Sequence, residues 1–139
     1  AAPAGAPAPG LTPRGRRIDR IATLALLGYG LVNVLFAAPG LLSLADTAEE
    51  YFSLLGIDEP FTNLAAANVW GPVAGGLYLL GYAATAFFAV RMLRRGRLAF
   101  WVPIAGAIVT STLVAICISV PLAGDPAFLA FVEQLSTSR

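Results

Sequence analysis

Three long apolar stretches, Ile21 to Ala45, Val69 to Leu93 and Leu98 to Leu122, constrain this chain more than any other feature. Each is about 25 residues long, against the roughly 20 that carry a helix across a bilayer. None holds a charge in its middle, and Arg91 lies near the end of the second. Hydrocarbon gives backbone N–H and C=O groups no partner, so a crossing segment must be a helix or a strand of a closed barrel. The stretches lack the period-two alternation of barrel strands, which leaves helices. The expected fold is therefore an all-α integral membrane three-helix bundle. Composition agrees, with 58% hydrophobic and only 12% charged residues, where a soluble domain has about a quarter charged. A cleavable signal ending at Ser43-Leu44-Ala45 is the rival account of the first stretch, but signal cores run only about 7–15 residues.

Residues 1–17 divide from the rest. Up to Pro13 they are Ala, Pro, Gly, Leu11 and Thr12, without charge, too little apolar surface to offset the entropy of ordering, so a disordered tail with a basic end is expected. Residues 18–139 form the membrane domain. Arg14, Arg16, Arg17 and Arg20 precede the first stretch, and Arg91, Arg94, Arg95 and Arg97 gather between the second and third. The segment from Asp46 to Asn68 has no basic residue and holds Asp46, Glu49, Glu50, Asp58 and Glu59. The excess of arginine marks the cytoplasmic side, which puts the N-terminus inside and the acidic segment and C-terminus outside; Arg139 alone opposes this. Trp70 and Trp101, with Arg91, Arg94, Arg95 and Arg97, are candidate membrane-surface anchors. All nine basic residues are arginine, which together with abundant Ala and Gly fits a high-GC bacterial gene and hence a bacterial plasma membrane.

Short amphipathic helices are expected at the outer interface. Pro39-Gly40 should kink or break the first helix, because proline cannot donate to the ladder. Asp46 with Glu49 has the spacing of a capping box, opening a helix over 46–55 that Gly56 ends. Asp125-Pro126 reads as an N-cap followed by proline at the first helical position, opening a helix over 126–136 whose apolar face is Phe128, Leu129, Phe131, Val132 and Leu135.

Two sets of residues are candidates for function. Gly71 and Gly75 form a G-x-x-x-G, and Ala107, Ser111, Ala115 and Ser119 recur every four residues, giving small-residue seams for close helix approach. Such seams either hold the three helices together or dock a second chain. Counted at 1.5 Å per residue from the basic ends, Asn33, Tyr82 and Thr110 each lie about 16–18 Å deep, near the midplane. With Ser111 and Thr112 they are expected to form an internal polar cluster.

The inventory excludes much chemistry. The chain has no histidine or lysine and a single cysteine, Cys117, so the commonest base, the Schiff-base amine, an internal disulfide and Cys/His metal sites are missing. No catalytic residue, metal site or cofactor is expected, and a net charge of +1 does not describe a nucleic-acid binder. Transport is short of parts too, because no Asp or Glu lies inside a span. The leading expectation is a non-enzymatic accessory or scaffolding subunit, packing through its seams on itself or on a larger membrane complex. The runner-up is an oligomeric small-molecule carrier or lipid-binding protein using the midplane layer.

The segments Arg16-Arg17-Ile18-Asp19-Arg20-Ile21, Leu93-Arg94-Arg95-Gly96-Arg97-Leu98-Ala99-Phe100-Trp101-Val102-Pro103 and Gly124-Asp125-Pro126-Ala127-Phe128 resemble a group of small actinobacterial membrane proteins, domain of unknown function 6264. The resemblance runs from about Arg14 to Phe131 and is strongest in R-G-R-x-x-x-W-V-P. It implies a multi-helix membrane protein and carries no catalytic residue with it.

Overall fold

The computed structural model describes residues 11–139. Among these the chain forms five helices and no strand: α1 (Pro13–Leu42), α2 (Leu44–Leu55), α3 (Leu64–Arg94), α4 (Trp101–Ala123) and α5 (Pro126–Thr137). Helices α1, α3 and α4 are long and apolar enough to cross a membrane. They run antiparallel in sequence order, so every arginine except Arg139 collects at one end of the bundle, the basic end. The opposite, acidic end carries α2, the loop over 56–63 and α5.

Helix α1 starts earlier than its charge pattern suggests. Thr12 Oγ1 accepts the Gly15 N–H at 3.1 Å and Pro13 takes the first turn, an N-cap and a pre-set φ that together open a helix. Residues 13–17, expected to belong to the disordered tail, are therefore helical; of the rest of that tail, Leu11 and Thr12 precede the helix and residues 1–10 lie outside the described residues. The break expected at Pro39-Gly40 also moves. The helix continues through Pro39 and ends at Ser43, whose N–H and hydroxyl both donate to the Pro39 carbonyl at 3.0 Å. Proline costs one ladder bond, which is tolerable so close to a helix end. Ser43 then precedes α2 without a side-chain cap, so Asp46 is not the N-cap; it sits in the first turn, where the helix dipole favours a carboxylate. Gly56, at φ 74°, closes α2 in the left-handed conformation that glycine adopts freely.

Helix α3 is central, packing most extensively on α4 and next on α1, whereas α1 and α4 meet only sparsely. Small residues let α3 take this place: Ala67, Gly71, Ala74, Gly75 and Ala89 are its buried positions. At the acidic end Leu44, Ala48, Phe52, Phe61, Ala67 and Ala127 make a core. There Phe52 meets Phe61 edge-on at 5.7 Å and stacks on Phe128 at 6.4 Å, so α2 and α5 close over the bundle. Large apolar side chains such as Phe36, Leu80 and Phe87 remain exposed, as lipid-facing positions should.

Two buried carboxylates fasten the ends. Asp19 on α1, 5% exposed, accepts the Ala99 and Phe100 N–H groups at 3.0 and 2.9 Å, the amides leading into α4. Asp125, fully buried, caps its own helix through Ala127 and Phe128 N–H at 3.0 and 3.3 Å. Its second oxygen takes Thr62 N–H at 2.9 Å, the Thr62 hydroxyl at 3.2 Å and Asn63 N–H at 3.2 Å, at the entrance to α3. Asn63 in turn donates its side-chain amide to the Pro121 carbonyl at 2.9 Å, partnering a carbonyl in the last turn of α4.

Burial raises the Asp125 pKa, but the N–H groups of Thr62, Phe128 and Asn63 and the Thr62 hydroxyl outweigh it, leaving the carboxyl below its ordinary 3.8. A depressed folded-state pKa stabilises above the unfolded value and loses that stabilisation as pH falls through the folded value. Asp125→Ala in detergent micelles should cost roughly 2–4 kcal/mol, from the cap and the charged hydrogen bonds together. Wild type should lose stability below about pH 4, and Asp125→Asn should lack that component. An unchanged acid profile in Asp125→Asn would contradict this account.

Candidate functional site

The sparse meeting of α1 and α4 leaves a cleft between them with α3 as its floor. Its section nearer the basic end encloses about 380 Å³ and is lined by Gly30, Asn33, Tyr78, Tyr82 and Ser111 among others. A larger section of about 760 Å³, lined by Leu41, Thr47, Phe52, Ala115, Ser119 and Leu122 among others, opens toward the acidic end. The sections share Tyr78 and Ser111. Along α4 the cleft runs from Pro103 to Leu122, about 28 Å at the helical rise and so nearly the thickness of a hydrocarbon core.

The two predicted seams have different fates. Gly71 and Gly75 are buried where the α1–α2 joint crosses α3: a Cβ at Gly71 would stand 2.6 Å from the Leu41 carbonyl oxygen, and one at Gly75 3.2 Å from Leu42 Cδ2. That seam is used within the chain. Ala107, Ser111, Ala115 and Ser119 are all exposed and form the α4 wall of the cleft. The α3–α4 contact rests instead on two pairs that sequence inspection missed. A Cβ at Gly81 would run into Thr110, and one at Gly106 would run into Thr85, so each helix offers a glycine notch to the other's threonine. The signal was present as Gly81-x-x-x-Thr85 and Gly106-x-x-x-Thr110, the same spacing read antiparallel. Thr85 satisfies its hydroxyl on the Gly81 carbonyl at 2.7 Å.

The midplane residues are brought together only in part. Asn33 Oδ1 accepts the hydroxyl of Tyr78, a residue that the depth count passed over although it lies one turn from Tyr82 on the same face. Tyr82 reaches across to donate to the Leu27 carbonyl at 2.9 Å, its ring passing close over Gly30, where a Cβ would lie 3.2 Å from Cε2. Thr110 is committed to the Gly81 notch. Ser111 lines both sections of the cleft. Thr112 is not part of the cluster, being exposed and bonded to the Ile108 carbonyl of its own helix at 2.7 Å, because it lies two residues from Thr110 and so on another face. The cleft thus gathers the Asn33 amide, the Tyr78 and Tyr82 phenols and the Ser111 hydroxyl at mid-depth, beside the threonines of the two notches, with Glu50 at its acidic-end mouth.

The remaining candidates lie at the ends. Trp70 is half-buried against the core of Leu41, Ala74, Val114 and Cys117. Trp101 is exposed and donates its indole N–H to the Leu98 carbonyl at 3.0 Å. Arg91, Arg94, Arg95 and Arg97 are exposed on the last turns of α3 and the following turn. Among the described residues no group of His, Cys, Asp or Glu could hold a metal ion.

Three apolar helices of spanning length, closed at one end by two short helices, define the class: a small helical membrane protein. The chain belongs to DUF6264, a family of unknown function, whose family model it matches over residues 1–131; the match therefore takes in the N-terminal segment as well as the bundle. No curated protein and no solved structure matches it.

The notches make a contrast that can be measured. Gly81→Ala and Gly106→Ala should each lower the thermal midpoint in micelles, overpacking of this kind costing about 1–3 kcal/mol. Gly76→Ala, whose Cβ would meet nothing within 4 Å, should keep or raise it, alanine being the better helix former. Equal midpoints for all three variants would remove the notches from the α3–α4 contact.

Proposed function

We propose that this protein is a non-enzymatic accessory subunit that receives a transmembrane helix, from a second copy or from a larger membrane complex, in the cleft between α1 and α4. The observation that carries this reading is the α4 wall. Helices associate in lipid by close packing rather than by expulsion of water, and small residues are what permit it. Ala107, Ser111, Ala115 and Ser119 have that character, are not consumed by contacts within the chain, and flank a cleft that runs nearly the depth of a bilayer. Asn33 adds a polar group on the facing helix, able to bond an incoming helix at mid-depth.

A second reading, a lipid-binding or small-molecule carrier, is favoured by one feature: the inner section gathers Asn33, Tyr78, Tyr82 and Ser111 around about 380 Å³. Substitutions separate the two. Ala115→Leu with Ser119→Leu should fill the outer cleft and abolish a stoichiometric partner band after mild extraction from the native membrane, while Asn33→Leu should weaken it only slightly, interhelical hydrogen bonds being worth about 0.6 kcal/mol. A partner unaffected by the leucine pair would refute helix docking. Loss of a co-purifying small molecule in Asn33→Leu would favour the carrier.

The orientation that goes with this reading has the basic end in the cytoplasm of a bacterium, by the asymmetry of arginine. Single cysteines at Glu50 and Ser136, in a Cys117→Ala background, should label from outside the cell and one at Gly96 only after permeabilisation. The reverse pattern would invert the assignment.

A further inference from the structure

The basic end carries more charge than the fold uses. Arg14, Arg16, Arg17, Arg20, Arg91, Arg94, Arg95 and Arg97 gather there with Asp19 as the one carboxylate, and no Asp or Glu occurs between Glu59 and Asp125. Asp19 is buried and already accepts the Ala99 and Phe100 N–H groups. Arginines in the last turn of a helix commonly cap its free carbonyls, but here the backbone does that work. Arg95 N–H bonds the Arg91 and Met92 carbonyls at 3.2 and 3.1 Å, Gly96 N–H the Leu93 carbonyl at 3.1 Å, and Arg97 N–H the Met92 carbonyl at 3.1 Å, with Gly96 at φ 67° turning the chain. Among the described residues none takes up the guanidinium groups of Arg91, Arg94 and Arg95 in a hydrogen bond or ion pair.

Their placement specifies what. These three border one shallow, open recess on the face of α3 together with Ala86, Phe87 and Val90. The chemistry along it is graded. Arg94 and Arg95 stand at the end of the helix, Arg91 is one turn deeper, and Phe87, 60% exposed and braced edge-on by Phe88 at 5.6 Å, lies about 6 Å below Arg91 and about 11 Å below Arg94 at the helical rise. Guanidinium groups match phosphate oxygens in charge and in bidentate geometry. Topological bias needs only a number of arginines near the membrane; it does not require three of them to border an apolar shelf.

We propose that this recess is a binding site for one anionic glycerophospholipid, its phosphate held by Arg91, Arg94 and Arg95 and an acyl chain lying over Val90 and Phe87. The occupant is a membrane lipid rather than free phosphate, because the recess continues from the guanidinium groups onto apolar surface at hydrocarbon depth. Binding fixes the height of α3 in the bilayer at the end opposite the Asp125 junction.

The test is native mass spectrometry of the full chain released from bilayers of equal phosphatidylglycerol and phosphatidylcholine. Wild type should retain one phosphatidylglycerol in preference to phosphatidylcholine. Arg94→Gln with Arg95→Gln should reduce that retention about tenfold or more, two surface arginines being worth that much toward an anionic headgroup. Phe87→Ala should weaken it, and Arg14→Gln with Arg16→Gln, which removes the same charge elsewhere on the same end, should keep it. Thermal midpoints of all variants identify any that fail to fold, and because the residues are exposed none should. Equal retention of phosphatidylcholine, equal loss in the Arg14/Arg16 variant, or displacement of the lipid by inorganic phosphate would each overturn the site.

Discussion

Two buried carboxylates hold the helix ends of this bundle in place, and the rest of the structure is arranged around them. Where a helix begins, its first N–H groups have no partner within the helix and carry partial positive charge. Asp19 takes the amides leading into α4, and Asp125 supplies that partner for α5 and also takes the Thr62 and Asn63 amides just ahead of α3. Each acceptor is reached from far along the chain, so a local need of a helix terminus becomes a long-range tie. A single hydrogen bond of this type is worth about 1.5–3 kcal/mol, large beside the weak interhelical bonds available at mid-depth. The bundle is therefore fastened at its two ends more firmly than across its middle.

That division of strength fits the cleft. Between the ends, α3 grips α4 through the Gly81–Thr110 and Gly106–Thr85 notches and grips the α1–α2 joint through Gly71 and Gly75. Nothing comparable joins α1 to α4. The phenols of Tyr78 and Tyr82 stand between α1 and the floor of the cleft, bonded to Asn33 and to the Leu27 carbonyl, and they occupy the space in which the two helices would otherwise approach. A bilayer then has either to fill the cleft with acyl chains or to offer it a helix, and the small side chains of α4 are the basis on which helix docking is proposed.

Much of this was legible in the chain itself, for identifiable reasons. Asp125-Pro126 announced an N-cap because carboxylate and proline each suit that one position, and the helix starts at Pro126 as read. Gly56 ended α2 because only glycine enters the left-handed region freely. Asp46 misled because a D-x-x-E spacing says nothing of where the preceding helix stops, and Ser43 stopped it three residues before Asp46. Pro39 misled in the opposite sense, since a missing donor matters less near a terminus than in mid-helix. Tyr78 was passed over because counting depth finds residues at one level, whereas a tyrosine reaches a level above or below its own Cα.

What the sequence by itself determined is the membrane-spanning, all-helical fold and the separation of arginine from acid. These follow from the absence of backbone partners in hydrocarbon and from composition alone, and they need no knowledge of which helix touches which. Only the tertiary structure decided the use of each feature: that Gly71 and Gly75 are consumed inside the chain while the α4 stripe stays open, and that Asp19 serves a helix eighty residues away. Small residues and carboxylates carry no mark of their partner. Packing alone determines which approach a missing side chain permits and which amides a buried oxygen can reach.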